Sequence, residues 1–518
     1  MTIFKGALRG SRIKHSRWFS KWFILPAVAV TMIAALVVGM SAALFTDTET
    51  SNDSTFAAWT STQWTQTSQA DFNAGVLSGT NTSLSPDNVI LSAGAGSGAN
   101  MILFWDGAGT APSGWTFLSD SGGAFYQRFP RGAATYGPTG GAATHTHTVS
   151  LVSDSGPSAT TAVRSTGTNR SSATHTHGLS SGSTVPASNL PSYRNLRVIT
   201  STGVPTTIPM GAIAIFDTTA PTGWTRYSAQ DNYFVQGEAT AGTTGGSNTH
   251  THSTSISLAA SASYQAVTVT TAATVADTGH THSGSGTTAS GNNQPPYITV
   301  ILAKANDDTA IPGGMIAMFD ASPSGDWTVL SGSGGGFDGR FIVGSSTYGT
   351  TGGASTHTHS NLLITTGGPT ANANTRTTGS NANAASNAHT HGITVSFNSP
   401  NHLPPYVDVI FAKALYASSG TIASQVLNTT VDGSRWDALF WDESLATGTD
   451  ITFAVRASDA VFLKDAVTPS WTSVGGTSPV LTGLTSGSYK QWRATLTSNG
   501  SQTNTPTLQE VRVFYYGG

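Results

Sequence analysis

The tripeptide His-Thr-His occurs six times in this 518-residue chain, at His145/His147, His175/His177, His250/His252, His280/His282, His357/His359 and His389/His391. Those pairs take twelve of its fourteen histidines. In an extended strand alternate side chains leave the same face, so two residues separated by one can grip a single object while the threonine turns away. Imidazole is a common ligand for late transition metals, so six copies of a two-toothed clamp predict metal coordination.

The pairs belong to a longer repeat. ILFWDGAGTAPSGW (102–115), IAIFDTTAPTGW (213–224) and IAMFDASPSGDW (316–327) open three units, and RFPRG (128–132), YFVQG (233–237) and RFIVG (340–344) follow. GPTGGAATHTH, GTTGGSNTHTH and GTTGGASTHTH then lead into the first histidine pair of each unit. A second pair comes about thirty residues later, and each unit closes on Tyr193, Tyr297 or Tyr406, preceded by Pro-Ser or Pro-Pro. The first histidines stand at 145, 250 and 357, spacings of 105 and 107 residues. Such a period marks tandem structural units. The expected domains are 98–204, 205–309 and 310–414, with 1–46 as a basic flank and export segment, 47–97 as a linker, and 415–518 as a separate module.

Two imidazoles from one strand cannot complete a metal site, whereas three strands around a threefold axis supply six. Zinc prefers four ligands, so six imidazoles point to ferrous iron or another octahedral divalent ion such as nickel or cobalt. Such an ion is structural, since six protein ligands leave no open position for substrate. Three strands can come from three chains, or from the three units of one chain. The short link Ala305 to Thr309, and apolar segments at both ends of each unit, favour the single-chain pseudo-trimer over the homotrimer. It would place His145/His147, His250/His252 and His357/His359 in one site, and His175/His177, His280/His282 and His389/His391 in another.

The Ile-x-x-Phe…Pro-x-Gly-Trp opening, the Gly-Arg-Phe-x-x-Gly segment, His-x-His and the closing Pro-Pro-Tyr, in that order over 98–414, resemble the phage tail collar family and within it the tips of long tail fibres. The cysteine-containing loop often found after the tryptophan is missing, Ser192 replaces a proline, and the second unit lacks the arginine. The resemblance implies a trimeric β-needle threaded by iron, set on a small collar and used to touch a cell surface.

The flanks agree with export. Lys5, Arg9, Arg12, Lys14, Arg17 and Lys21 precede the uncharged run from Trp22 to Thr46. That run is long enough to span a bilayer of roughly 30 Å, and the basic flank keeps the rest outside, the run being either a retained anchor or a signal cleaved at small residues such as Ser41, Ala42 and Ala43. Residues 43–59 (ALFTDTETSNDSTFAAW) resemble the start of mature secreted proteins of the TasA/camelysin group. ITFAVRAS (451–458), YKQWRATLTS (489–498) and LQEVRVFYY (508–516) alternate like strands of a sandwich and resemble a jelly-roll module of secreted microbial proteins. In such proteins a segment like 71–94 often lies just upstream, so 71–94 is expected to pair with 415–518, making the repeats an insertion. The expected class is mainly β.

Charged residues are only 9% of the chain and the net charge is -3, which gives no electrostatic reason to expect nucleic acid. No cysteine is present to form a disulfide or a thiolate site. Trp115, Trp224 and Trp327, with Phe104, Phe216 and Phe319, read as core, and Trp436, Trp441, Trp471 and Trp492 read as core or edge packing ahead of a sugar-stacking platform. Asp106, Asp217 and Asp320 read as turn caps. The composition between the paired motifs, at 148–174, 253–279 and 360–388, suits a needle and a recognition tip. Asn52, Asn81, Asn169, Asn428 and Asn499 begin weak glycosylation sequons. The leading function is a non-enzymatic, extracellular adhesin or receptor-binding protein at a cell surface, contacting a receptor or glycan and touching the membrane at its N-terminus. A virion fibre or spike comes second. An enzyme comes last, because 98–414 offers few carboxylates and no nucleophile–base set.

Overall fold

The computed structural model describes residues 61–94, 99–157, 182–205, 207–258, 267–269, 273–275, 281–367, 390–481 and 485–516. The run 22–46 and residues 43–59 lie outside them. Among the described residues no helix is long and apolar enough to cross a membrane. The chain is mainly β, and its compact unit is Gln63–Tyr515. Residues 1–62 and 516–518 are the other unit, of which only Ser61, Thr62 and Tyr516 are described.

Three opening strands, Met101–Trp105, Ala212–Phe216 and Met315–Phe319, pair with one another in a cycle. Phe104 lies opposite Ile213, Ile215 opposite Ile316, and Met318 opposite Ile102. Their apolar runs have no polar face because both faces are covered. Ile102, Phe104, Ile213, Ile215, Ile316 and Met318 enter one core. Met101, Leu103, Ala214, Phe216, Ala317 and Phe319 enter a second on the opposite face, together with Trp115, Trp224 and Trp327. Phe104, Phe216, Phe319 and the three tryptophans are buried, as the sequence indicates.

Each unit returns to its own start. The closing strands Tyr193–Ser201, Tyr297–Ala305 and Tyr406–Ala414 run antiparallel to the opening strand of the same unit. The far half of each closing strand is given to a neighbour. Tyr193–Leu196 pairs in parallel with Phe234–Gly237, Tyr297–Val300 with Phe341–Gly344, and Tyr406–Val409 with Phe129–Gly132. The third pairing joins the last unit to the first and closes the cycle within one chain. It alone carries an ion pair: Arg131 grips Asp408 at 2.7 and 2.9 Å and lies 3.8 Å above the Tyr406 ring. At the corresponding places the other two pairings align Asn195 with Gln236 and Thr299 with Val343.

Asp106 and Asp217 do more than cap turns. Lys304 reaches Asp106 at 2.9 Å, and Lys413 reaches Asp217 at 2.6 Å. In both cases the lysine comes from the closing strand of the following unit. Thr200 occupies the matching place on the first closing strand, so Asp320 gains no lysine.

Residues 415–515 pack with a segment far upstream. Val76–Ser78 pairs with Ser419–Ala423, and Val89 bridges Leu508. Phe72, Val89 and Leu91 share a core with Trp436, Trp441, Phe453, Trp492 and Val511, drawn from two sheets. The 101–414 region therefore interrupts a unit whose two parts pack together. Trp471 flanks the guanidinium groups of the buried Arg456 and the half-buried Arg493, 4.4 and 4.6 Å from its ring centre.

Candidate metal centre

The double glycine and the closing tyrosine set the register of the histidines. Tyr193 packs edge-on against Phe129, Tyr297 against Phe234 and Tyr406 against Phe341, with ring centres 5.8, 5.8 and 6.0 Å apart. The second glycine of each pair, at 141, 246 or 353, has φ of +71°, +68° or +71°. A Cβ there would meet the carbonyl oxygen of Pro404, Pro191 or Pro295 at 2.0 Å. Only glycine tolerates both the left-handed backbone and that approach. Four residues beyond it stands the first histidine of each of the three units.

His145 pairs with Ala187, and His250 with Gly291, on the returning arms of their own units. All six imidazoles of the first motifs meet. The Nε2 atoms of His145 and His357 are 3.3 Å apart, those of His147 and His357 3.2 Å, and those of His252 and His145 3.1 Å. One ligand atom from each of His145, His147, His250, His252 and His357 falls within 4.8 Å of all the others. The His359 ring completes the set, its centre 4.8 Å from that of His147 and 5.2 Å from those of His250 and His252. With metal–nitrogen bonds of about 2.1 Å, an octahedron places adjacent donors about 3.0 Å apart and opposite donors about 4.2 Å apart. The three Nε2–Nε2 distances given above lie close to the adjacent spacing.

The opposite ring nitrogens are held by carbonyls on the returning arm of another unit. His147 Nδ1 lies 2.7 Å from the Asn398 oxygen, His252 Nδ1 2.9 Å from that of Val185, and His359 Nδ1 2.9 Å from that of Ala289. His145 Nδ1 meets the Asn189 side-chain oxygen. A carbonyl accepts only from N–H, so each of these rings keeps its proton on Nδ1 and its lone pair on Nε2. The lone pairs then face the centre. His359 Nε2 and both ring nitrogens of His250 have no hydrogen-bond partner although they are buried. Buried polar atoms are rarely left so, and a shared cation could supply the partner they lack.

Burial, reinforced by the facing imidazoles, pushes the ring pKa values down, to about 4 for His145 and His147, about 3 for His250 and about 2 for His357. Burial also lowers those of His252 and His359. The rings are therefore neutral near pH 7, the form in which imidazole ligates a metal. The donor set is all imidazole, and this buried cluster can hold a metal ion.

Of the second motifs, only His282 and His391 are described. Their ring centres are 4.8 Å apart, and His282 Nδ1 lies 2.9 Å from the Gly367 oxygen. His175, His177, His280 and His389 lie outside the described residues. One residue beside the cage was not foreseen. His402, 1% exposed, stands edge-on to His357 with ring centres 4.6 Å apart. It sits four residues before Tyr406, as Asn189 and Asn293 sit before Tyr193 and Tyr297. Aligning the units on their closing tyrosines would have exposed it.

No protein-family model matches the chain, and neither does any curated protein or solved structure.

Proposed function

We propose that this protein is a non-enzymatic, extracellular adhesin or receptor-binding protein, whose three collar-like repeats form a single-chain pseudo-trimer around a structural metal ion. The observation that carries the reading is the convergence of six imidazoles, four of which, His145, His147, His252 and His359, have Nδ1 anchors that leave Nε2 facing inward. Six donors suit an octahedral divalent ion, iron(II) or a neighbour such as cobalt or nickel, better than zinc. His145, His147, His250, His252, His357 and His359 would hold one ion. His175, His177, His280, His282, His389 and His391 would hold a second further along the needle. The ions act as staples. A needle has too little interior to form a proper core, and metal binding supplies folding free energy in its place.

The order of motifs across 98–414, like that of the phage tail collar family, supports a surface-contact role, and the uncharged run after a basic flank supports export with an anchor or cleaved leader. Residues 415–518 would form a jelly-roll sandwich completed by 71–94. Recognition of a cell-surface receptor or glycan belongs to the needle tip.

Elemental analysis combined with light scattering tests the assembly. The reading expects about two transition-metal ions per chain in a particle of one chain mass, 53.2 kDa. A threefold larger particle would refute the single-chain pseudo-trimer, and protein refolded in excess iron(II), cobalt(II) or nickel(II) that retains none would refute the staple. Retention of the exported protein on host cells, lost on deleting 148–174, 253–279 and 360–388 together, tests the adhesin role.

A further inference from the structure

The cage is not threefold-symmetric in its supports. The main-chain N–H of Asn189, Asn293 and His402 donates to the carbonyls of Ala143, Asn248 and Ser355, each two residues before a first histidine, at 2.8, 2.8 and 3.0 Å. The three side chains therefore start from equivalent points beside His145, His250 and His357, and all three are 1% exposed. Asn189 uses both ends of its carboxamide. Nδ2 donates to the Ala142 carbonyl at 2.8 Å, and Oδ1 meets His145 Nδ1. Asn293 donates from Nδ2 to the Leu190 and Ser247 carbonyls at 3.1 and 3.0 Å, while its Oδ1 and His250 Nδ1 have no partner. In the third unit the carboxamide is replaced by an imidazole.

Around that imidazole, three buried nitrogens lack a partner at full hydrogen-bond geometry: Nδ1 and Nε2 of His402, and Nδ1 of His357. The Gln294 carbonyl faces the His402 ring from the second unit, as the Leu190 carbonyl faces Asn293 from the first. Unsatisfied buried donors are costly, about 1–3 kcal/mol each. One arrangement satisfies all three. His402 directs its N–H at Gln294, which leaves a lone pair on its other nitrogen, and that lone pair receives the N–H of His357 Nδ1.

We infer that His402 is a positioning residue for the metal centre, doing for His357 what the Asn189 carboxamide does for His145 and fixing it with Nε2 turned inward. This rests on the metal reading of the cage. An imidazole nitrogen is a stronger acceptor than an amide oxygen, so His357 becomes the most electron-rich of the six donors. The centre is then distinguished from a homotrimeric one, in which three identical supports are obligatory.

Cobalt(II) is the probe, with the full chain titrated in competition with a chelator of known affinity. His402→Ala should weaken cobalt binding about 10- to 100-fold, the usual cost of removing an outer-shell partner, while His402→Asn should stay within about threefold of wild type. In the cobalt-loaded protein, His402→Asn should move one hyperfine-shifted exchangeable imidazole proton and leave the others in place. Unchanged affinity and spectrum in His402→Ala would overturn the inference. So would His402→Asn binding as poorly as His402→Ala, because the ring itself would then be a ligand. If His402→Ala does not fold, the shifted proton in His402→Asn decides alone: a spectrum identical to wild type overturns the role. Wild-type protein that takes up no cobalt would bring down the metal reading and this inference with it, whereas tight uptake indifferent to residue 402 brings down only this one.

Discussion

Acidifying the metal-free protein should make its native and unfolded forms differ in bound protons by an amount set by the cage. His145 and His147 titrate at about 4, His250 at about 3 and His357 at about 2, against 6.5 for the free side chain. At pH 5 the unfolded chain holds nearly four protons on these residues, and the folded chain holds about 0.2, a difference of between three and four. Because the unfolded state binds more, stability rises with pH through this window and falls as pH drops from 6.5 towards 4. Each proton of difference is worth about 1.4 kcal/mol per pH unit, so the share of these four rings in the slope at pH 5 has a ceiling near 5 kcal/mol per unit, to which the lowered His252 and His359 add. It is a ceiling because the facing rings titrate together and the first proton enters more easily than the second. Difference potentiometry on chelator-treated native and urea-unfolded protein reads the quantity directly, with no assumption of two-state unfolding. His357→Ala should remove about one proton from the difference. A wild-type difference below one proton at pH 5, or one unmoved by His357→Ala, would refute the description of a buried, mutually repelling cage.

Saturating cobalt(II) should compete with protons for the Nε2 lone pairs and hold the protein folded to lower pH, followed as a shift in the midpoint of acid-induced loss of near-ultraviolet circular dichroism; no shift would argue against binding at the cage. Arg131→Ala leaves Asp408, 5% exposed, without its bidentate partner. Breaking a buried pair in this way costs about 3–5 kcal/mol, so thermal unfolding should occur well below wild type, and Asp408→Asn, which removes the stranded charge, should cost less. Gly246→Ala introduces a Cβ 2.0 Å from the Pro191 carbonyl at φ of +68°. It should destabilise by more than about 1 kcal/mol and weaken metal binding, because the same turn sets the register of His250 and His252. Lys413→Ala removes a partly exposed pair with Asp217, and its cost should stay within about 1 kcal/mol.

Much of the centre was legible from spacing alone. His-Thr-His in strand geometry presents two imidazoles to one side, and a double glycine at a constant distance before it implies one repeated turn. The first motifs of the three units do meet. The opening strands, uniformly apolar, are covered on both faces. Asp106 and Asp217 were misjudged because their lysine partners lie almost two hundred residues downstream. His402 was overlooked because a lone histidine outside the His-Thr-His pattern carries no local signal.

By itself, then, the amino-acid order determined the local geometry: which segments extend, where the chain turns, and which residue types arrive at the axis. Only tertiary structure decided which unit each strand would serve. Every closing strand divides between its own unit and the next, and every second histidine of the described cage is anchored by a different unit. The physical reason is that a strand's propensity and pattern depend on near neighbours in sequence, whereas its partner is chosen by the free energy of closing long loops around a common core.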